Sequence, residues 1–500
     1  MKQLTHFINN QISGERGSRQ GRVYNPATGE QIATVELADD MVAEHVLTSA
    51  SNAFMPWSKT PPLLRARILF KFKALIEEHR DTLAQLITEQ HGKVLSDAQG
   101  EITRGLEVVE FACGIPHLLK GEHSLNVGRN VDSHSMMQPL GVCVGITPFN
   151  FPVMVPMWMF PVSIACGNTF ILKPSEKNPE PALFMAELLR QAGLPDGVFN
   201  VVNGDKTLVD ALITDSRVEA VSFVGSTPIA EAIYTKSSAH GKRCQALGGA
   251  KNHMVIMPDA EIDQVVNALM GAAYGSAGER CMAISVAVCI GDETADMVTE
   301  TLLLAINNLT VGNGSDQTLE PDMGPLVSIE HKNKVLEYID KGVAEGAELL
   351  ADGRLLSVAG YETGYFVGPT LFDHVTQDMS IYQEEIFGPV LVVVRVKDLD
   401  AALELVNNHE FGNGTAIFTQ NGRAARRYQE EVKVGMVGVN VPIPVPMSFH
   451  SFGGWKRSIF GPLNMHGPDG VRFNTRMKTV TSRWPQTSDS VAEFSMPTMK

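Results

Sequence analysis

Cysteine is scarce and scattered in this chain. There are six in 500 residues (Cys113, Cys143, Cys166, Cys244, Cys281 and Cys289), with no C-x-x-C pair and no zinc-ligand spacing. That argues against a disulfide scaffold or a metal site and fits reduced thiols in a reducing, cytoplasmic compartment. Basic residues are in deficit: 41 Lys and Arg stand against 56 Asp and Glu, a net charge of −15. Nucleic acids and anionic membranes both require a basic face, so neither is expected as a partner. The first ten residues lack the long apolar run of a signal peptide. Internal repeats and low-complexity tracts are absent too.

Charge itself is missing from one stretch. Residues 133–172 contain no Asp, Glu, Lys or Arg, which is long enough to suggest a membrane span. Pro148, Pro152, Pro156 and Pro161 interrupt any continuous helix there, and Asn150 and Asn168 are strongly polar. The segment therefore reads as buried strands and turns near a site. The composition, 44% hydrophobic and 19% charged, is that of a globular protein. At roughly 150 residues per domain the length predicts two to four domains.

What the chain does have is a cysteine set between a glycine-rich turn and an apolar run, Ala272-Ala-Tyr-Gly-Ser-Ala-Gly-Glu-Arg-Cys281-Met-Ala-Ile-Ser-Val. Gly275 and Gly278 let the backbone bend and approach a ligand. Arg280 puts a positive charge beside the sulfur, which favours the nucleophilic thiolate. Taken alone, Cys281 reads equally well as a small buried hydrophobe.

Residues 40–92 carry apolar side chains at helical spacing, and 101–119 continue the pattern. Short apolar runs then alternate with amphipathic stretches. Strands are predicted at 142–146, 168–172, 198–202 and 218–224, with helices at 181–192, 205–213 and from about 228. A second alternating block, 254–447, has strands at 286–290, 389–394 and 415–418 and helices at 336–350 and 399–408. The alternation predicts an α/β fold with a parallel, doubly wound sheet.

Such sheets bind ligands at the carboxyl ends of their strands. Lys173 and Glu176 follow one strand, where they can hydrogen-bond a ribose diol. Phe223-Val-Gly225-Ser226-Thr227-Pro228 follows another, where Gly225 permits a tight turn, Ser226 or Thr227 can cap the helix, and free N–H groups attract a pyrophosphate. Neither is the G-x-G-x-x-G fingerprint. Each alone reads equally as a surface ion pair or an ordinary strand-to-helix turn.

Together the motifs are specific. Pro148-Phe149-Asn150-Phe-Pro152, Lys173-Pro-Ser-Glu176, Phe223-Val-Gly225-Ser226-Thr227, Gly278-Glu-Arg280-Cys281 and Glu384-Glu385-Ile-Phe387-Gly-Pro389 occur in that order. Over nearly its whole length the chain resembles the aldehyde dehydrogenase superfamily. The resemblance implies a Rossmann-like NAD-binding domain (1–123 and 141–253) and a second α/β domain carrying the nucleophile (254–450). It also implies a β-flap for oligomerisation into a homotetramer, a dimer of dimers (124–140 and 470–485). The polar residues 486–500 read as a mobile or partner-bound tail.

Carried over motif by motif, the resemblance makes Cys281 the attacker of an aldehyde carbon. Asn150 and the Cys281 N–H would hold the oxyanion. Lys173 and Glu176 would hold the adenosine ribose, Gly225 and Ser226 the pyrophosphate, and Glu385 the nicotinamide ribose, with Phe149 and Phe387 beside the cofactor. A glutamate at 176 repels a 2′-phosphate, so NAD is expected over NADP.

One departure sets the subtype. Most of the superfamily carries Glu-Leu-Gly-Gly, whose glutamate activates the water that hydrolyses the thioester. Here the segment reads Gln245-Ala246-Leu-Gly-Gly249-Ala-Lys-Asn, and alanine accepts no proton. General-base assistance is typically worth about 10²–10⁴-fold, so another nucleophile must release the acyl group. Coenzyme A ionises more readily than water. The pattern resembles the CoA-acylating branch, which takes malonate and methylmalonate semialdehydes, with decarboxylation, to acetyl-CoA and propionyl-CoA in valine, inositol or β-alanine breakdown. Such a substrate carboxylate needs a cationic partner. Arg280 and Arg104 are the candidates, though Arg104 also reads as a helix-surface residue paired with Glu101 or Glu107. Two other readings stay open: a hydrolytic dehydrogenase with an unusual base such as Glu279, and a non-catalytic protein on the same scaffold.

Overall fold

Runs rich in Val, Ile and Ala, buried on both faces, form the central strands of two sheets. The computed structural model describes residues 1–14 and 19–484; the tail expected at 486–500 lies outside the described residues.

The first sheet has five parallel strands at its centre, in the spatial order Arg243–Leu247, Val218–Val224, Val142–Ile146, Thr169–Lys173 and Phe199–Val201. Numbered along the chain that order is 5-4-1-2-3, so the winding reverses between Val142–Ile146 and Val218–Val224. Short antiparallel strands close both edges. Phe7–Ile8 and Gln11–Ile12 lie beyond Phe199–Val201, and Ile459–Phe460 returns from late in the chain to pair with Arg243–Leu247.

The second sheet runs Glu348–Ala351, Thr370–Asp373, Val390–Val396, Ile284–Ile290, Asn252–Ile256, Gly414–Phe418 and Met436–Val439. Only its first pair is antiparallel. A three-stranded antiparallel sheet projects separately, with Val131–Pro139 between His123–Gly128 and Thr475–Arg483. The fold is thus α/β, as expected. Within the segment 470–485 expected as part of the flap, 470–473 end a short helix, Gly467–Phe473, and the strand begins at Thr475. Residue 485 lies outside the described residues.

Two local readings are corrected. The charge-free segment holds a helix, Met154–Cys166, with every residue buried. Pro156 sits in its first turn, where no intrahelical N–H is needed, and Pro161 forfeits one bond. Gly167, at φ 98°, terminates it through N–H bonds to Ser163 and Ile164 carbonyls. The helix expected over 336–350 runs Ile329–Ala344 and stops near Gly346, at φ 94°, before the strand Glu348–Ala351. Among the described residues no helix is long and apolar enough to cross a membrane.

Candidate active site

The segment leading to Cys281 is strained and braced. Ser276, Ala277 and Gly278 all adopt left-handed φ (53°, 51° and 73°) just before Glu279-Arg280-Cys281. Such a conformation costs an L-residue roughly 1–2 kcal/mol and persists where neighbours over-determine it. The neighbours are visible. A Cβ on Gly278 would lie 2.2 Å from the Gly388 carbonyl oxygen, so only glycine fits. The Cys281 carbonyl accepts from Asn252 Nδ2 at 2.9 Å and Asn413 Nδ2 at 3.0 Å, and Asn252 also holds the Ala283 carbonyl at 2.9 Å.

Cys281 is partly exposed while the five other cysteines are buried. Surrounding protein pushes its thiol up to about 12, burial first and the nearby Glu385 carboxylate second. The expected thiolate-promoting effect of Arg280 is the weakest contribution. The reason is geometric: the Arg280 charge is partly neutralised by Asp97, 2.8 Å away, and its guanidinium also donates to the Gly271 carbonyl at 3.2 Å.

Asn150 is buried on the turn after Val142–Ile146, and its Nδ2 donates to the Glu279 carbonyl at 3.0 Å. One of its two amide hydrogens is thereby fixed against the nucleophile segment. Its neighbour Phe149 accepts on its carbonyl from Asn178 Nδ2 at 2.6 Å and meets Phe387 edge-to-face at 6.0 Å. The Glu279 carboxyl is turned away, accepting from the Val327 N–H at 3.2 Å, with His91 and His331 each 3.6 Å off. Burial pushes it up to about 8, so at neutral pH it is chiefly the neutral acid.

Arg104, Arg280 and Cys281 line one cavity of about 440 Å³, with Phe151, Trp158 and Ile443. Arg104 bonds Glu107 at 2.6 Å and the Pro446 carbonyl at 2.8 Å. It does not pair with Glu101, which is held by Lys93 at 2.8 Å. On the other side of Cys281 a small cleft is lined by Glu385 and Phe387. The Glu385 Oε1 accepts from Ala250 N–H at 2.9 Å, and burial pushes this carboxyl up to about 7. Lys251 supports the same loop, donating to the carbonyls of Ile381 at 2.7 Å and Glu384 at 2.8 Å.

The two strand ends singled out in the sequence both lie on the first sheet. Lys173 Nζ and Glu176 Oε2 are 3.0 Å apart just past Thr169–Lys173. Gly225 follows Val218–Val224, and a Cβ there would strike the Phe223 ring at 2.5 Å. Ser226 precedes the helix Thr227–Ala239 without capping it, and Thr227 Oγ1 instead accepts from Gly249 N–H at 2.8 Å. The expected side-chain cap is therefore not made by either residue. The Gly225 end flanks the point where the strand order reverses, the usual ligand crevice of such sheets, and the Lys173 end lies one strand further out, beyond Val142–Ile146.

The missing base has a structural counterpart. Ala246 packs into the apolar cluster with Ile146, Phe223 and Phe460, whereas Leu247 belongs to the cluster against which Cys281 packs. Leu247, rather than Ala246, faces the nucleophile's side, and neither accepts a proton. Sequence reading passed over Lys93, Lys251, Asn252 and Asn413. Their one local signal is a polar pair, Lys251-Asn252, wedged between two glycines and an apolar strand.

A family model described as the aldehyde dehydrogenase family matches residues 13–480. The chain is 57% identical over 500 residues to a malonate-semialdehyde dehydrogenase of Pseudomonas aeruginosa, covering 100% of both. The solved structure of a methylmalonate-semialdehyde dehydrogenase from Oceanimonas doudoroffii matches with a TM-score of 0.96 and 56% identity, over 97% of this chain and 99% of that one. A chain from Sinorhizobium meliloti 1021 solved in complex with NAD also matches with a TM-score of 0.96, at 52% identity over 98% of this chain and 99% of that one.

Proposed function

This chain belongs to the aldehyde dehydrogenase family and is an NAD-dependent enzyme, and we propose that it oxidises malonate and methylmalonate semialdehydes to acetyl-CoA and propionyl-CoA. One observation carries the reading: Cys281 shares a cavity with two arginines, and the cluster against which it packs holds Leu247 where a carboxylate base would be needed. The names of the relatives support the substrate class.

Cys281 attacks the aldehyde carbon through its thiolate. The second Asn150 amide hydrogen and the Cys281 N–H stabilise the resulting oxyanion. Arg104 and Arg280 hold the substrate carboxylate. Their partners Glu107 and Asp97 keep each guanidinium oriented and temper its charge. NAD, when bound, supplies the hydride acceptor. Lys173 and Glu176 hold its adenosine ribose, Gly225 and Ser226 admit its pyrophosphate, and Glu385 takes the nicotinamide ribose, with Phe149 and Phe387 at the ring end. The crowded Gly225 turn and the buried Glu385 carboxylate fit that cofactor.

The acyl group then sits on Cys281 as a thioester with a carboxylate on its α-carbon. The bond to that carboxylate breaks, CO₂ leaves, and the electron pair passes to the thioester oxygen, where Asn150 again donates. The α-carbon takes up a proton. With no base at 246 or 247 to activate water, the thiol of coenzyme A displaces Cys281 and restores it.

We assign residues 1–123 and 141–253 to cofactor binding and 254–450 to catalysis. The projecting sheet joins copies of the chain into a homotetramer in the cytoplasm; exposed Leu125, Val127 and Met477 on its strands support that. The deciding experiment follows NADH formation from malonate semialdehyde and NAD, with and without coenzyme A, and identifies the product. Acetyl-CoA formed only with coenzyme A supports the assignment. Equal rates to a free acid without it would return the enzyme to hydrolysis.

A further inference from the structure

A buried charge pair grips the turn that carries Asn150. Lys93 and Glu101 are both fully buried, and their side chains meet at 2.8 Å. Lys93 Nζ also donates to the Asn150 carbonyl at 2.7 Å and lies 4.2 Å above the Phe151 ring. Glu101 Oε1 accepts from the N–H groups of Val153 at 2.8 Å and Met154 at 3.1 Å, where the helix Met154–Cys166 begins. The pair thus holds the segment 150–154 from both ends, an acceptor by a cation and two donors by an anion.

A pair of this kind is a poor device for stability. Replacing a buried ion pair by apolar residues of similar volume is often neutral or better. Apolar residues, however, provide no donor for the Asn150 carbonyl and no acceptor for the Val153 and Met154 amides. What the pair supplies is orientation of the turn. The Asn150 side chain leaves that turn toward the Glu279 carbonyl and the nucleophile segment. An oxyanion donor is worth most when it is already aimed, and displacement by about 1 Å costs on the order of 10²-fold.

We propose that Lys93 and Glu101 are positioning residues that aim the Asn150 amide at the oxyanion formed on the Cys281 adduct. The inference rests on the reading of Asn150 as an oxyanion donor.

The test compares wild type, Asn150→Ala, the double variant Lys93→Met/Glu101→Leu and the triple combination. Each is assayed for the rate of NADH formation at saturating substrates, for KM of NAD, for alkylation of Cys281 and for thermal unfolding. The double variant is expected to lose about 10–100-fold in rate, with KM of NAD and the alkylation rate within about twofold. The triple variant is expected to be no slower than Asn150→Ala, because groups acting as a unit are not additive. A double variant as fast as wild type, beside a slow Asn150→Ala, overturns the inference alone. So does a triple variant whose losses multiply, which is what a merely structural role produces. If Asn150→Ala is itself as fast as wild type, the reading of Asn150 falls and the inference with it. Should the double variant fail to fold, Glu101→Gln keeps the volume and one acceptor oxygen. It is expected to lose about fivefold in wild type and nothing in the Asn150→Ala background, and an undiminished rate overturns the inference.

Discussion

The state of the Cys281 thiol in the free enzyme is open to direct measurement. Burial and the Glu385 carboxylate push it up to about 12. At pH 8 such a thiol is ionised in about one molecule in ten thousand, against roughly a quarter for a free cysteine near 8.5. Alkylation by iodoacetamide should therefore run on the order of a thousandfold slower than for an exposed cysteine at pH 8. The sign of the pH dependence follows: the thiolate fraction rises about tenfold per unit from pH 7 to 10, with no plateau in that range. Glu385→Gln isolates one cause. Its carboxyl, raised to about 7, is largely ionised above pH 8, so neutralising it should speed alkylation at pH 8–9 and leave pH 6 little changed. Hydroxyls donated to Glu385 by bound NAD would spread its charge and move the profile the same way. The assay is the loss of activity with time, with the labelled peptide identified by mass. A plateau below pH 9 in the free enzyme, or slower alkylation in Glu385→Gln, refutes the reasoning.

Arg280→Ala leaves the half-buried Asp97 without its 2.8 Å partner. It should cost about 1–2 kcal/mol in chemical denaturation; adding Asp97→Asn should recover most of that stability but not the raised KM for malonate semialdehyde. Arg104→Ala should raise the same KM without changing KM for NAD, and an unchanged value removes Arg104 from the carboxylate site. Glu176→Ser should improve kcat/KM for NADP by about tenfold, measured against NAD in the same preparation. Gly278→Ala puts a methyl 2.2 Å from the Gly388 oxygen at φ 73°, so a loss of roughly 2–4 kcal/mol is expected in denaturation.

Much of this architecture is legible in the chain because it is local. The strand Val142–Ile146 is a continuous apolar run, and Val218–Val224 is one broken only by Glu219 and Ser222, as suits strands covered on both faces. The helix Leu399–Asn408 starts at an aspartate cap and shows the 3.6-residue rhythm. Met154–Cys166 escaped reading because it is apolar all round, which hides helical period, and because its prolines signal a break that a covered helix tolerates. The overrun past Ala344 has the opposite cause: Glu348-Leu-Leu-Ala351 has helical propensity, and pairing with Thr370–Asp373 overrides it. Cys281, Arg280 and Glu385 announce themselves within short motifs. Lys93, Glu101, Asn252 and Asn413 do not, since each acts on a segment 29 or more residues away, and no local spacing records that. Which of two neighbours faces the nucleophile, Ala246 or Leu247, was settled by the strand's pleat.

The late strand at Ile459–Phe460 bears on how the protein is made. All five parallel strands of the first sheet are synthesised by residue 247, yet the neighbour that covers their outer edge emerges more than two hundred residues later. The partner of Val131–Pro139 comes later still, at Thr475–Arg483. Through most of translation the nascent chain presents an unpaired strand edge, the kind of surface that recruits wrong partners. Ribosome-bound intermediates shorter than about 460 residues are thus the stage at which chaperone dependence should concentrate. Stop codons placed close to the end should cost soluble yield out of proportion to the few residues they remove.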